Sequence, residues 1–152
     1  MAISAQDMKV ETVIAPATVT LATNSSTYGY LDTIGWEHAK IVVISAAEAT
    51  TSACASNLRI TEGTNSTAAT AIIALVGGTA TSATVGYVIP DYSAEGAAVA
   101  FDIDLRKRER YLRLHVVPGA ASTFGAIAIL SRGKVMPGTD DGSVASGAHV
   151  IV

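Results

Sequence analysis

Apolar side chains recur at every second position along most of this chain, a period that matches a β-strand, whose successive side chains point to opposite faces. In Ala17 to Thr23, for example, Val19 and Leu21 alternate with Thr18 and Thr20. Leu58 and Ile60 alternate in the same way with Arg59 and Thr61. The pattern predicts strands at Lys9 to Ile14, Ala17 to Thr23, His38 to Ser45, Asn57 to Glu62, Thr84 to Ile89, Val99 to Leu105, Tyr111 to Val117 and Phe124 to Leu130. His38 to Ser45 departs from strict alternation through Ile41, Val42, Val43 and Ile44, as expected of a strand in the middle of a sandwich. From Asn65 to Gly78 two readings stay open. Asn65 or Ser66 can cap a short helix over Ala68 to Leu75 that Gly77 ends, or Ile72, Ile73 and Val76 can belong to a strand.

Turns rich in Gly, Ser, Asn and Pro separate these runs, and helical periodicity is nearly absent. The pattern therefore predicts an all-β fold: an antiparallel β-sandwich, jelly-roll-like, with extended N- and C-terminal arms. Residues 1–15 read as an N-terminal arm or edge strand, 16–131 as the sandwich domain and 132–152 as an extended C-terminal arm. The stretch Val99 to Val117 reads as a hairpin. Val99, Phe101, Ile103 and Leu105 share one face of its first arm, and Leu112, Leu114 and Val116 share one face of the second. Pairing those faces would set Asp102 and Asp104 near Arg113 and either Tyr111 or His115.

Composition adds a problem of coverage. The 152 residues suit one domain with a sizeable core. Hydrophobic residues make up 49% and charged residues only 15%, and the mean hydropathy is +0.40. No segment offers the ~20 continuous apolar residues that span a bilayer, so the surplus points to partner subunits and a homo-oligomer. Met1 to Met8 lacks a basic and an apolar signal region, which predicts synthesis in the cytoplasm without a targeting peptide. A net charge of −3 argues against nucleic acid as the main partner.

Candidate chemistry is sparse. His38, His115 and His149 lie far apart and none has metal-ligand spacing. The single cysteine, Cys54, can form neither an internal disulfide nor a metal site alone. No nucleophile elbow, phosphate loop or dinucleotide fingerprint occurs. Asp102 and Asp104 share a strand face, but neighbouring basic residues neutralise them more simply than calcium would. Asp140-Asp141-Gly142 reads as a turn, and Asn24 and Asn65 open polar turns that fit the glycosylation pattern. The expectation is a protein without catalytic residues, metal or cofactor.

Two features look like contacts instead. Arg106, Lys107, Arg108, Arg110 and Arg113 hold half of the ten Lys and Arg residues, with only Glu109 among them. They read either as a solvated turn or as a patch for an acidic partner surface. The Gly-, Ser- and Asp-rich tail closes with Val150, Ile151 and Val152, which read as a tip docked on a neighbour or as a last strand of the protein's own sheet. Trp36, with Tyr28 and Tyr30, allows a small carbohydrate platform or a core anchor.

Several motifs together resemble the small virion structural proteins of tailed phages. They are Leu58-Arg59-Ile60-Thr61-Glu62, Tyr87-Val88-Ile89-Pro90, and Asp102-Ile103-Asp104-Leu105 running into Arg110-Tyr111-Leu112-Arg113-Leu114. Ala126 to Leu130, Met136-Pro137 and the Val150-Ile151-Val152 end complete the set. The likeness covers about residues 38 to 152. It implies a decoration or cement protein on the capsid surface of the virion, with the major capsid protein as partner. Arg106, Lys107, Arg108, Arg110, Val150, Ile151, Val152 and the segment Ala2 to Val13 are then the expected contacts. A neck or tail component, or a carbohydrate- or host-binding module, is the alternative.

Overall fold

A computed structural model describes residues 8–19, 27–46, 55–66, 71–72, 96–118 and 122–133. Among these residues eight strands follow one another: β1 (Met8–Val19), β2 (Thr27–Asp32), β3 (Trp36–Ser45), β4 (Ala55–Gly63), β5 (Ala71–Ile72), β6 (Ala97–Asp104), β7 (Tyr111–Pro118) and β8 (Ser122–Gly133). A 3₁₀ turn at Leu105–Lys107 separates β6 from β7.

The strands form two four-stranded sheets, ordered β1-β8-β3-β6 and β2-β7-β4-β5. All ladders are antiparallel. The first strand pairs with the eighth, the second with the seventh, the third with the sixth and the fourth with the fifth. The chain thus behaves as one long hairpin folded over and rolled into two layers, which is jelly-roll connectivity. The fold is an all-β antiparallel sandwich, as the period-two pattern predicts.

One core joins the layers. Ala39, Ile41, Val43, Phe101, Ile103, Phe124, Ala126, Ala128 and Leu130 point inward from the first sheet, and Leu31, Leu58, Ile60, Leu112, Leu114 and Val116 from the second. Burying each large member contributes roughly 1.5–3 kcal/mol. At one corner β1 crosses β2 so closely that a Cβ on Gly29 would overlap the Val13 carbonyl oxygen and lie 2.5 Å from Val13 Cγ1. Only glycine allows that approach. The β2–β3 connection needs a second glycine, Gly35, at φ +83° in the turn closed by Trp36 N–H on the Thr33 carbonyl.

Pairing differs from the expectation in one important place. The stretch Val99 to Val117 is not a hairpin: β6 pairs with β3 in one sheet, and β7 pairs with β2 and β4 in the other. The 3₁₀ turn carries the chain from layer to layer, because Asp104 accepts from the Arg106 N–H at 3.1 Å and bends the backbone where a hairpin would continue. Both apolar faces still point into one core, now from opposite sides. Asp102 accordingly faces His38 and Lys40 rather than Arg113.

Three smaller differences follow from local geometry. Lys9 to Ile14 and the start of Ala17 to Thr23 belong to one strand, β1, whose register shifts at Thr12/Ile14 and Ile14/Ala17 absorb Pro16. The strand Thr27–Asp32 escapes the pattern because Gly29 interrupts its apolar face. In the ambiguous segment, Ala71–Ile72 is strand paired with β4. The expected strand Thr84 to Ile89, together with Cys54, His149, Asp140 to Gly142 and Val150 to Val152, lies outside the described residues.

Candidate functional site

The basic turn lies at the end of the sandwich where two connections switch sheets. One is the turn from β2 to β3, the other the 3₁₀ turn and residues 108–110 between β6 and β7. They are stitched together: Thr33 N–H and Thr33 Oγ1 both donate to the Arg110 carbonyl, at 3.0 and 2.6 Å.

Each arginine of this turn meets a carboxylate. Arg106 binds Asp104 through Nε at 2.9 Å and a terminal nitrogen at 2.5 Å. Arg110 binds Asp32 in the same forked manner, at 2.9 and 2.6 Å, and lies 4.7 Å over the Tyr111 ring. Arg108 reaches Glu62 at 3.2 Å, whose other oxygen accepts from the Glu109 N–H at 3.1 Å. The Arg110 guanidinium holds the Asp32 carboxyl below its usual range, and Arg106 does the same, more strongly, for Asp104. Both arginines are pushed up in turn. The cluster that stands out in the sequence is therefore largely neutralised from within, by acids as remote as Asp32 and Glu62. Among the described residues Lys107 makes no ion pair.

A second polar group sits on the outer face of the β2-β7-β4-β5 sheet. His115 is buried there beside Thr61, whose Oγ1 lies 2.9 Å from its Nε2. Arg113 Nε donates to the same nitrogen at 3.0 Å, and an Arg59 nitrogen lies 3.5 Å from Nδ1. Burial first, then the Arg59 and Arg113 charges, push the His115 ring down to about 4. A neutral ring that accepts from Arg113 fits this environment; an imidazolium does not. The exposed ring of Tyr30 lies 6.0 Å from the Arg113 guanidinium carbon.

Across the outer face of the other sheet, Ser131 Oγ lies 3.3 Å from His38 Nδ1, and His38 Nε2 lies 3.6 Å from Asp102. The order serine, histidine, acid is that of a hydrolytic triad, but the surroundings are not. Asp102 is 58% exposed on a sheet face, whereas a triad acid is buried and oxyanion donors must converge beside the serine. Lys40 shares Asp102 at 3.5 Å, making this a surface charge network. Among the described residues, no group of three metal-ligating side chains occurs.

The remaining large feature is apolar. Outward residues of the β1-β8-β3-β6 sheet form cross-strand rows: Met8, Ser131, His38 and Asp104; then Val10, Ile129, Lys40 and Asp102; then Thr12, Ile127, Val42 and Ala100; then Gly125, Ile44 and Ala98. The first two rows carry the charges, and the last two carry none. A groove of about 340 Å³ opens at the uncharged end, with Gly125 in its lining beside Pro16, Ile44, Thr12 and Ile127. Trp36 instead packs against the core, and it stands on β3 while Tyr28 and Tyr30 stand on β2 of the other sheet.

The sequence singles out the basic turn and the adjacent Asp104, but not the remote acids Asp32 and Glu62, the His115 cluster or the apolar rows. All three depend on which strands become neighbours. No protein-family model, curated protein or solved structure matches the chain.

Proposed function

We propose that the chain is a non-enzymatic structural subunit of a virion: a decoration or cement protein that binds the major capsid protein on the outer surface of a tailed-phage head. The observation that carries this reading is a jelly roll that, among the described residues, leaves an apolar groove and exposed Ile44 and Ile127 on one sheet face, while most of the charged side chains there pair with one another. Jelly rolls recur among capsid and lectin domains, and fold alone does not choose between them. Trp36, partly buried and packed against the core, favours the structural reading over the lectin class. The motifs that resemble tailed-phage virion proteins point the same way.

Cement of this kind acts through binding energy alone. Several weak contacts spread over neighbouring capsomers must break together before the shell can open. The contacts on this reading are the turn Arg106 to Arg110, where Lys107 leads, and the terminal Val150, Ile151 and Val152. Particles assembled with and without the chain provide the test, by imaging and by heating. Copies at capsomer positions and rupture of undecorated heads at lower temperature are expected. Density confined to the neck or tail, or no association with particles, overturns the proposal.

A further inference from the structure

Arg106, Arg108 and Arg110 each meet a carboxylate, but Arg59 meets none among the described residues. It stands on β4 directly across from His115 of β7, and Arg113 precedes His115 by two residues on the same outer face. One terminal nitrogen of Arg59 lies 3.5 Å from His115 Nδ1, and Arg113 Nε lies 3.0 Å from Nε2. The two guanidinium groups thus flank the ring edge between those nitrogens. We propose that Arg59 and Arg113 form an anion site for a doubly charged oxyanion of the phosphate class, which caps this edge and bridges them.

Holding two like charges this close costs free energy unless an anion joins them. The imidazole between them supplies no countercharge: burial and the two arginines themselves push it down to about 4, so it is neutral. One ring and two hydrogen bonds separate the guanidinium groups, a distance of roughly the 8 Å screening length of physiological salt. Both side chains are half-buried, and salt screens such charges less than exposed ones. Among the described positions on this outer face the acid is Asp32, two rows from Arg59 and already forked to Arg110. A bound anion therefore provides the countercharge that the described residues do not.

Charge also selects the ligand. Two guanidinium groups carry two positive charges, which a phosphate monoester at neutral pH nearly balances with about −1.5 to −2; a carboxylate balances one. Guanidinium groups present forked N–H donors that phosphate oxygens accept in pairs. His115 is a positioning residue here, buried and held by Thr61 Oγ1 at 2.9 Å, and it sets the spacing of the arginines. Tyr30, 44% exposed with its ring 6.0 Å from the Arg113 guanidinium carbon, bounds the site on the β2 side. The site does not depend on the virion reading.

Titrating the full chain with sodium phosphate at fixed ionic strength and about pH 7.5, where this ring is uncharged, tests the proposal. Saturable binding with a Kd on the order of 1 mM is expected. The Nε–H signals of Arg59 and Arg113 and the ring signals of His115 should move together, while the side-chain signals of Arg106, Arg108 and Arg110 stay still. Arg59→Gln should weaken binding about tenfold, Arg59→Lys should weaken it less, and acetate should need about tenfold more to match phosphate. Methyl phosphate distinguishes the source: an affinity equal to that of inorganic phosphate assigns the site to phosphate esters, and its exclusion assigns the site to the free ion. No saturable shift up to ~50 mM phosphate overturns the proposal, and so do shifts centred on residues 106–110 or acetate binding as tightly as phosphate. An Arg59→Gln variant that stays folded by circular dichroism and binds phosphate as the wild type does overturns it as well. Should that variant fail to fold, the wild-type signals decide: movement of Arg59, Arg113 and His115 supports the site, and their stillness overturns it.

Discussion

Thr61 Oγ1 and His115 Nε2 lie 2.9 Å apart on the outer face of the β2-β7-β4-β5 sheet, and the pair is buried. Residues 54 apart in sequence thus share a nitrogen that Arg113 also uses. The arrangement works only while the imidazole is neutral.

That condition makes stability depend on mildly acidic pH. The His115 ring ionises near pH 4 in the folded chain and near its usual 6.5 when unfolded. A depressed folded value means that stability is complete above about pH 6.5 and is lost as pH falls through the window down to 4. The full loss is about 3 kcal/mol. Urea unfolding at pH 7 and pH 4.5 should show most of it. His115→Gln, which can still accept from Arg113 but cannot titrate, should flatten the curve in that window.

Gly29 predicts a steric effect at the corner between sheets. Gly29→Ala drives a methyl group into the Val13 carbonyl and leaves only 2.7 Å to Ile14 Cγ1. β1 or β2 must shift, at a cost of about 1–3 kcal/mol. Thermal unfolding measures the loss, and hydrogen exchange should show earlier opening of β1 than of β3.

On the edge strand β1, Lys9 and Glu11 point toward the core side, paired at 3.4 Å with side chains only 10% and 19% exposed. Lys9→Met leaves the Glu11 charge poorly compensated and should cost about 3 kcal/mol. The double variant Lys9→Met/Glu11→Leu should recover most of that loss. Inward charges also protect an edge from pairing with other chains, so the double variant should aggregate faster in light scattering.

Glu62 links β4 to the basic turn through Arg108 and the Glu109 N–H. Glu62→Gln should lose about 1–2 kcal/mol, because its one acceptor oxygen cannot serve both Arg108 and the Glu109 N–H, and its amide nitrogen faces whichever donor is left. A double-mutant cycle with Arg108→Leu isolates the side-chain part, expected at about 0.5–1 kcal/mol and reduced in high salt.

Alternation along the chain was enough to assign the faces. Ile41 and Val43, Leu58 and Ile60, Phe101 and Ile103, and Leu112, Leu114 and Val116 all point inward as period two requires. Local pattern could do so because burial is a property of each residue's own side of its strand. Gly29 hid β2 because a glycine chosen for close backbone approach looks like a turn signal.

Pairing was a different matter, and only the tertiary structure decided it. β6 and β7 are separated by six residues, and their apolar faces fit a hairpin as well as two opposed sheets. Choosing between those outcomes depends on contacts with β3, β2 and β4, whose residues are 46 to 78 positions away at Glu62 and Asp32. The same long-range choice placed Glu62 beside Arg108, Thr61 beside His115, and Gly125 opposite Ile44 on the outer face of the other sheet. A one-dimensional pattern carries which side of a strand is apolar; it does not carry which strand will lie next to it.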